Sequence, residues 1–262
     1  MAVYDYQGNV IPVGEGDPHL SEPWVTAMHR GYSSSTVHEN TLEAFYRAYL
    51  NGANWIEVDA RLSSDNVYVS NHDSTITVGG VTYTIANETS ETLTGLVLSV
   101  DPTYGNCYLP TLESVLKMCA YTGMSANIDC KSITASTLAK LVVDTGMSGR
   151  AAYANTSTSN VSTILATDPN AGFIFAYSNL STWATAIEDY RVRQRSYAWS
   201  SSISTAAIEA TRAYGFKYLV SETDSTNYSS KMPYVPDMVE FKATADCKAI
   251  NQAYLNNLDF GL

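Results

Sequence analysis

The stretch VTAMHRGYSSSTVHENTLEAFYRAYLNGANWIEVDA, residues 25–60, predicts a strand, a helix and a second strand. VTAMHRG and NWIEVDA are short apolar runs of strand length. The apolar side chains of ENTLEAFYRAYLNG (39–52) recur at helical spacing, and this segment ends at a glycine. Two strands joined by a helix in this way are expected to lie parallel in one sheet.

The same alternation continues along the rest of the chain. VYVSN (67–71) predicts a short strand after the turn signal SSDN. LPTLESVLKMCAYTG (109–123) and STLAKLVVDTG (136–146) predict helices on either side of the strand MSANIDCK (124–131). Four more strands are predicted at RAAYAN, AGFIFAY, RSYAWS and KYLVSE.

These units predict an α/β fold, specifically a TIM (β/α)8 barrel, with MVEFKAT (238–244) as a less regular eighth unit. A doubly wound open sheet is the alternative, although no GxGxxG follows the first strand. A polar region at about 74–105 interrupts the pattern and predicts a small insertion after the second strand. The expected division is an N-terminal extension at 1–23 and the barrel at 24–262.

The net charge of −11 argues against a nucleic-acid partner, because binding to a phosphate backbone needs clusters of Lys and Arg. The sequence contains no apolar run of about 18 or more residues, so no transmembrane segment is predicted. The first residues lack the basic and apolar parts of a signal peptide. Abundant Ser, Thr, Asn and Tyr suit a surface or phage-associated protein as well as a cytoplasmic one, so location and oligomeric state stay open. The four cysteines have no CxxC spacing and are expected to be small buried side chains.

Polar residues follow the apolar runs at the predicted carboxyl ends of the early strands. Each of them alone is more often a solvated or hydrogen-bonded side chain than a catalytic one. In a barrel, however, the carboxyl ends of the strands form the active-site face, so their joint occurrence predicts a catalytic site. In chain order they are His29, Arg30, Glu57, Asp59, His72, Asp73, Asp129 and Lys131.

These residues stand in motifs that resemble the glycerophosphodiester phosphodiesterase family, which belongs to the PLC-like phosphodiesterase superfamily. HRG, HENT, IEVD and NHD resemble the family's HRG, PENT, IE-x-D and HD. LPTLESVL and NIDCK resemble its P-T-L-E-E-V-L helix and I-E-x-K strand. YAWSSSISTAAIEATRAYGFKYLVSETDS resembles its W-T-V-N strand and T-D close. The resemblance extends from about residue 24 to 224 and is densest up to residue 73.

The resemblance implies metal-dependent hydrolysis of glycerophosphodiesters to sn-glycerol 3-phosphate and an alcohol. Glu57, Asp59 and Asp129 would bind a divalent cation, Mg²⁺ or Ca²⁺, which prefers oxygen ligands. His29 and His72 would be the general acid and base, in an order that the sequence does not decide. In the family, the glycerol hydroxyl is thought to attack the phosphorus, and water then opens the cyclic phosphate.

Arg30 and Lys131 would hold the phosphate oxygens. Glu39, from the family's PENT, would support the metal or the cationic residues. Two positions depart from the family pattern, since His38 replaces the Pro of PENT and Asp129 replaces the usual Glu. The shorter Asp129 side chain must still reach the same ion.

A second hypothesis is a surface or phage-particle domain that binds or cleaves glycerophosphate polymers such as teichoic acid. The polar, Tyr-rich composition favours it. A module that only binds would not need both histidines and all three carboxylates. The substrate is therefore expected to be a small or a polymeric glycerophosphodiester, with the alcohol group undecided.

Overall fold

The computed structural model describes residues 3–4, 10–11, 25–223, 237–242 and 247. Eight parallel strands form a closed barrel in which each strand pairs with the next one along the chain, and the eighth pairs with the first. The TIM-barrel prediction is confirmed, including MVEFKAT as the eighth strand. The strands are Val25–His29, Trp55–Leu62, Ser125–Cys130, Ala151–Ala154, Gly172–Ala176, Tyr197–Ser200, Lys217–Thr223 and Met238–Phe241.

Helices connect the strands on the outside of the barrel. The first begins after Thr41, whose side chain accepts a hydrogen bond from the backbone N–H of Ala44, and it buries Ala44, Phe45 and Ala48. Each predicted helix is present but shorter than its sequence pattern. The helices are Leu42–Leu50, Ser90–Thr94, Leu112–Thr122, Ala135–Asp144, Val161–Thr167, Leu180–Ala186, Tyr190–Arg193 and Thr205–Ala213. Of the helices described, none is long and apolar enough to cross a membrane.

Side chains alternate between two apolar cores along each strand. One core lies between strands and helices and includes Phe45, Tyr153 and Phe173. The other fills the barrel lumen with Ala27, Ala152, Ala154, Ile174, Tyr197, Leu219 and Met238. All four cysteines are buried and unbonded to one another, which confirms their prediction as buried side chains.

The insertion after the second strand contains two antiparallel hairpins. Tyr68–Ser70 first pairs with the second barrel strand, and Thr75–Val78 then pairs with Val81–Thr84, and Val97–Asp101 with Gly105–Tyr108. The second hairpin packs beside the loop that follows the first barrel strand. Its Asp101 accepts a 2.6 Å hydrogen bond from the Thr36 hydroxyl. The insertion therefore lies at the carboxyl end of the barrel.

The predicted N-terminal extension is described only where Val3–Tyr4 pairs with Val10–Ile11. The domain boundaries at 1–23 and 24–262 therefore remain predictions. The Asp of the T-D close, Asp224, and the end of MVEFKAT at Thr244 lie outside the described residues.

Candidate active site

A cavity of about 180 Å³ opens at the carboxyl ends of the barrel strands. Five residues of the sequence prediction line it, namely His29, Arg30, Glu57, Asp129 and Lys131. The closed barrel explains this convergence, because the carboxyl ends of parallel strands meet on one face. The structure thus brings residues together that are up to about a hundred positions apart in sequence.

Three carboxylates form a cluster beside this cavity. Asp59 and Asp129 are register partners on the second and third strands, and Glu57 lies two residues before Asp59 on the same face. One oxygen from each of the three residues lies within 4.8 Å of the others. Burial raises the pKa of Glu57 well above its usual value, and the neighbouring carboxylates Asp59, Glu240 and Asp129 raise it further.

Two cationic side chains contact the cluster. The Lys131 ammonium lies 2.8 Å from Asp129 Oδ2 and 3.2 Å from Asp59 Oδ1. Arg30 Nε lies 3.3 Å from Asp59 Oδ2, and its Nη1 lies 3.0 Å from Glu39 Oε1. The structure thus places Glu39 against Arg30, as the prediction that it supports the cationic residues requires.

The backbone at two positions adopts the left-handed region in order to hold these carboxylates. Arg30 has φ 56°, and its N–H donates a 3.0 Å hydrogen bond to Glu57 Oε2. Asn40 has φ 58°, is almost fully buried, and donates a 2.7 Å hydrogen bond to Asp59 Oδ2. Gly31 follows with φ +78°, where a Cβ would lie 2.7 Å from the Ala44 carbonyl carbon. Non-glycine residues rarely adopt this conformation, so its repetition here marks a constrained site.

Asn155 holds the third carboxylate in the same way. It follows the fourth strand with φ 52°, and its Nδ2 donates a 2.8 Å hydrogen bond to Asp129 Oδ1. Asp129 is therefore fixed by Asn155 on one oxygen and by Lys131 on the other. The shorter side chain at this position, which departs from the family's Glu, is thus firmly oriented.

The two histidines have different surroundings. His29 lines the cavity, is about a third exposed, and has Nε2 3.9 Å from Glu57 Oε2. His72 is not among the described residues that line the cavity. Its Nδ1 lies 2.8 Å from Asp73 Oδ1, and its carbonyl oxygen accepts hydrogen bonds from Arg61 Nε at 2.9 Å and Nη2 at 2.5 Å. The preceding Asn71 donates its N–H to the Asp59 carbonyl oxygen, which ties the backbone before His72 to the second barrel strand.

The chain matches the model of the Glycerophosphoryl diester phosphodiesterase family over residues 29–245. It belongs to this family. The match includes all eight residues predicted for the site, so the family resemblance read from the motifs is confirmed. A search of curated protein sequences gives no match.

Solved structures of similar fold include proteins named as phosphodiesterases. A glycerophosphodiester phosphodiesterase from Agrobacterium tumefaciens has a TM-score of 0.67 and 20% identity, covering 85% of this chain and 97% of its own. One from Parabacteroides distasonis has a TM-score of 0.69 and 19% identity over 93% and 89%. An Oleispira antarctica phosphodiesterase, solved with the product sn-glycerol-3-phosphate, has a TM-score of 0.68 and 18% identity over 90% and 97%.

The family's acidic cluster fits a divalent cation. All three side chains offer hard carboxylate oxygens, the ligands that Mg²⁺ and Ca²⁺ prefer. In the described part of the chain, the buried Oδ1 of Asp59 accepts no hydrogen bond, although the Lys131 ammonium lies near it. Carboxylates at the site outnumber cations by four to two, even without Glu240. The four are Glu39, Glu57, Asp59 and Asp129, against Arg30 and Lys131.

Several side chains at the site were missed by the sequence analysis. Glu240, on the eighth strand, is 7% exposed and lines the cavity. The sequence signal that could have identified Glu240 was an acidic residue inside the otherwise apolar run MVEF. Asn155 gave no signal, because its contact with Asp129 depends on the pairing of the third and fourth strands. Other side chains that the sequence analysis missed at or beside the cavity include Asn40, Asn127, Trp199 and Ser221.

Proposed function

We propose that this protein hydrolyses glycerophosphodiesters to sn-glycerol 3-phosphate and an alcohol, with a divalent metal and two histidines as acid and base. The observation that carries the proposal is the position of Glu57, Asp59 and Asp129 within 4.8 Å of one another, at one end of the barrel. The family motif positions and the product named for the Oleispira antarctica structure support the same reaction.

Glu57, Asp59 and Asp129 hold the cation in this proposal. Asn40 and Asn155 each occupy one carboxylate oxygen and so orient the other. Partners of this kind fix metal ligands in place. A bound Mg²⁺ or Ca²⁺ supplies Lewis-acid stabilisation of the charge that develops on the phosphoryl oxygens.

Arg30 and Lys131 bind the phosphate. Both side chains are about four-fifths buried and line the cavity. Arg30 offers a planar fork of N–H donors that matches phosphate oxygens, whereas Lys131 acts as a compact charge. Glu39 accepts a hydrogen bond from Arg30 Nη1, which keeps the guanidinium in place when the phosphate leaves.

His29 is the general base in the first step, because it lines the cavity and lies beside the Glu57 carboxylate. It takes the proton of the glycerol 2-hydroxyl, whose oxygen then bonds to phosphorus and forms a cyclic phosphate. The bond from phosphorus to the alcohol oxygen breaks, and His72 donates the proton that this oxygen needs. Water then opens the ring, with His72 now taking the water's proton and His29 returning its own to the 2-hydroxyl oxygen.

Release of sn-glycerol 3-phosphate from glycerophosphocholine tests this function. The enzyme should be inactive in EDTA and should recover when Mg²⁺ or Ca²⁺ is restored. Glu57→Gln should remain inactive at any metal concentration, whereas Asp144→Asn, in an exposed ion pair on an outer helix, serves as the matched control. Full activity in EDTA, or in Glu57→Gln, would refute the proposal.

A glycerophosphate polymer such as teichoic acid is the second candidate substrate. The insertion favours it, because its hairpins lie at the carboxyl end of the barrel and carry the exposed side chains of Val81, Val100 and Tyr108. Rates of hydrolysis measured in parallel for teichoic acid and for small diesters distinguish the two candidate substrates. Deletion of the tip residues Gly79 and Gly80 should then slow only the polymer reaction.

A further inference from the structure

The turn HENT, residues 38–41, carries a departure from the family pattern that the proposed reaction steps do not use. His38 stands where the family motif has proline, and Glu39 and Asn40 follow it. Proline fixes its own φ and has no backbone N–H. A histidine at this position therefore gives the turn more conformational freedom and one additional hydrogen-bond donor.

The additional donor is bonded to the insertion. The backbone N–H of His38 donates a 3.0 Å hydrogen bond to the hydroxyl oxygen of Ser99, on the first strand of the second hairpin. A proline at position 38 could not make this bond, because its nitrogen carries no hydrogen. His38 lies outside the left-handed backbone region, as a proline requires. His38→Ala keeps this N–H, whereas His38→Pro removes it.

Other contacts fix the second hairpin against the same loop. The Thr36 hydroxyl donates a 2.6 Å hydrogen bond to Asp101 Oδ2. Val37 and Cys107 are fully buried in one apolar cluster with Ala44 of the first helix. The hairpin therefore meets the loop through both polar and apolar contacts, and Ser99 acts from a strand whose own position is fixed.

The turn also carries two side chains that contact the proposed binding groups. Glu39 Oε1 lies 3.0 Å from Arg30 Nη1, and Asn40 Nδ2 donates a 2.7 Å hydrogen bond to Asp59 Oδ2. Asn40 also donates its backbone N–H to the Arg30 carbonyl oxygen at 3.0 Å. A shift of the turn would therefore move partners of both the proposed phosphate-binding group and the proposed metal ligand.

We propose that Ser99 is a positioning residue, which holds the turn 38–41 through the His38 N–H. The hydrogen bond from the insertion supplies the constraint that a proline ring would give. Through Asn40, the second hairpin thereby sets the orientation of Asp59 and the affinity for the metal. This effect on the metal rests on the proposed function, whereas the constraint on the turn does not.

A cycle of four proteins tests the role of Ser99. They are the wild type, Ser99→Ala, His38→Pro and the double variant. Ser99→Ala leaves the half-buried N–H of His38 without this acceptor, whereas a proline has no N–H that needs one. Ser99→Ala should therefore have an effect only where His38 is present. A general loss of hairpin stability would instead appear equally in both backgrounds.

Amide hydrogen exchange of Asn40, followed by NMR, is the first measurement. Its N–H is bonded to the Arg30 carbonyl oxygen and reports local opening of the turn. The rate is taken relative to amides of the outer helix Ala135–Asp144, so that a change in global stability cancels. Ser99→Ala should speed this relative exchange about 3- to 10-fold, the equivalent of one hydrogen bond. It should have no effect in the His38→Pro background.

The second measurement is the Kd for Mg²⁺, obtained by calorimetric titration of the chelator-treated proteins. Ser99→Ala should raise this Kd about 3- to 10-fold, again the equivalent of one hydrogen bond, and only where His38 is present. Ser99→Thr keeps the hydroxyl and should match the wild type in both measurements. Ser136→Ala, at an exposed position of an outer helix, is the matched control. Thermal unfolding of each variant confirms that it is folded.

An unchanged relative exchange of Asn40 in folded Ser99→Ala, or equal acceleration in both backgrounds, would overturn the proposal. If His38→Pro does not fold, equal exchange in Ser99→Ala and Ser99→Thr would overturn it instead. Faster exchange with an unchanged Kd would refute the effect on the metal. A wild-type protein that binds no Mg²⁺ would refute the proposed function, and the exchange of Asn40 would still decide whether Ser99 holds the turn.

Discussion

The first three strands and the next four face the barrel lumen with opposite chemistry. The early strands place His29, Glu57 and Asp129 there, all of them charged or titratable. The fourth to seventh strands place mainly small or apolar side chains such as Ala154 and Ile174 in the same lumen, with Asn155 and Ser221 as polar members of the cavity lining. One barrel thus has a charged half and an apolar half, and the eighth strand returns to charge with Glu240.

The two halves are stabilised by different physical means. Each carboxylate of the charged half needs an oriented donor, because a buried ionised group without partners costs several kcal/mol. Three residues in the left-handed backbone region, Arg30, Asn40 and Asn155, supply those donors. The apolar half needs only complementary shape, so substitutions there should change stability and leave the chemistry in place.

The largest expected effect comes from the histidines beside the charged half. His29→Ala or His72→Ala should lower kcat for glycerophosphocholine about 10²- to 10⁴-fold, the usual contribution of general acid–base catalysis. The two variants should differ on glycerol 3-(p-nitrophenyl) phosphate, because p-nitrophenolate leaves without a proton. We expect the first turnover of His72→Ala, measured as the burst of p-nitrophenolate, to recover most of its rate, because only the later ring opening still needs His72. The first turnover of His29→Ala should remain slow.

Equal losses for both variants on both substrates would contradict the assignment of His72 as the acid. His38→Ala is the matched control, since His38 lies next to Glu39 and its ring Nδ1 lies 2.7 Å from the Glu39 carbonyl oxygen. Its kcat on both substrates should stay close to that of the wild-type protein.

A smaller effect is expected at Asn155, which joins the two halves. Asn155→Gly keeps the left-handed backbone accessible but removes the amide that holds Asp129. The Kd for Mg²⁺ or Ca²⁺ should rise about 10- to 100-fold, as for other partners of metal ligands. Calorimetric titration with the metal alone measures this change.

Asn66→Gly is the control for that substitution, because Asn66 also has a positive φ, 61°, but lies in the exposed turn SSDN after the second strand. It should leave the metal Kd unchanged. An unchanged Kd in Asn155→Gly would mean that Asp129 needs no support from the fourth strand.

The smallest effect is expected in the apolar half. Ile174 is 3% exposed and belongs to the lumen core. Ile174→Val should lower the free energy of unfolding by about 0.5–1.5 kcal/mol, the usual cost of one buried methylene. Denaturant unfolding measures the loss, and metal titration of the same variant should give the wild-type Kd. A higher metal Kd in Ile174→Val would show that the charged half and the apolar half of the barrel are coupled.

The contrast between the halves also explains what the sequence could predict. The fold followed from alternating strand and helix patterns. The charged half followed from short motifs such as HRG and IEVD, whose polar residues are adjacent or two apart in the sequence. The contacts of Asn155 and Glu240 depend on closure of the barrel, which brings the fourth strand to the third and the eighth to the first. No local pattern records such contacts.

The contact between Glu39 and Arg30 also could not be predicted from the sequence, although the two residues are close together in the chain. The sequence placed Glu39 beside the site, but left open whether it meets the metal or the cations. The left-handed turn at Arg30 and Gly31 brings the guanidinium to Glu39, with Arg30 Nη1 3.0 Å from Glu39 Oε1. Backbone conformation at a single residue is hard to derive from residue types, because most side chains permit more than one region.

The most direct test of the account is calorimetric titration of the chelator-treated protein with Mg²⁺ and with Ca²⁺. Asp129 is the proposed ligand that departs from the family's Glu, and both Asn155 and Lys131 hold it. We predict one bound ion per chain in the wild-type protein and in Asp129→Glu, and no measurable binding in folded Asp129→Asn. Wild-type affinity in Asp129→Asn would contradict the claim that Glu57, Asp59 and Asp129 together form the metal site.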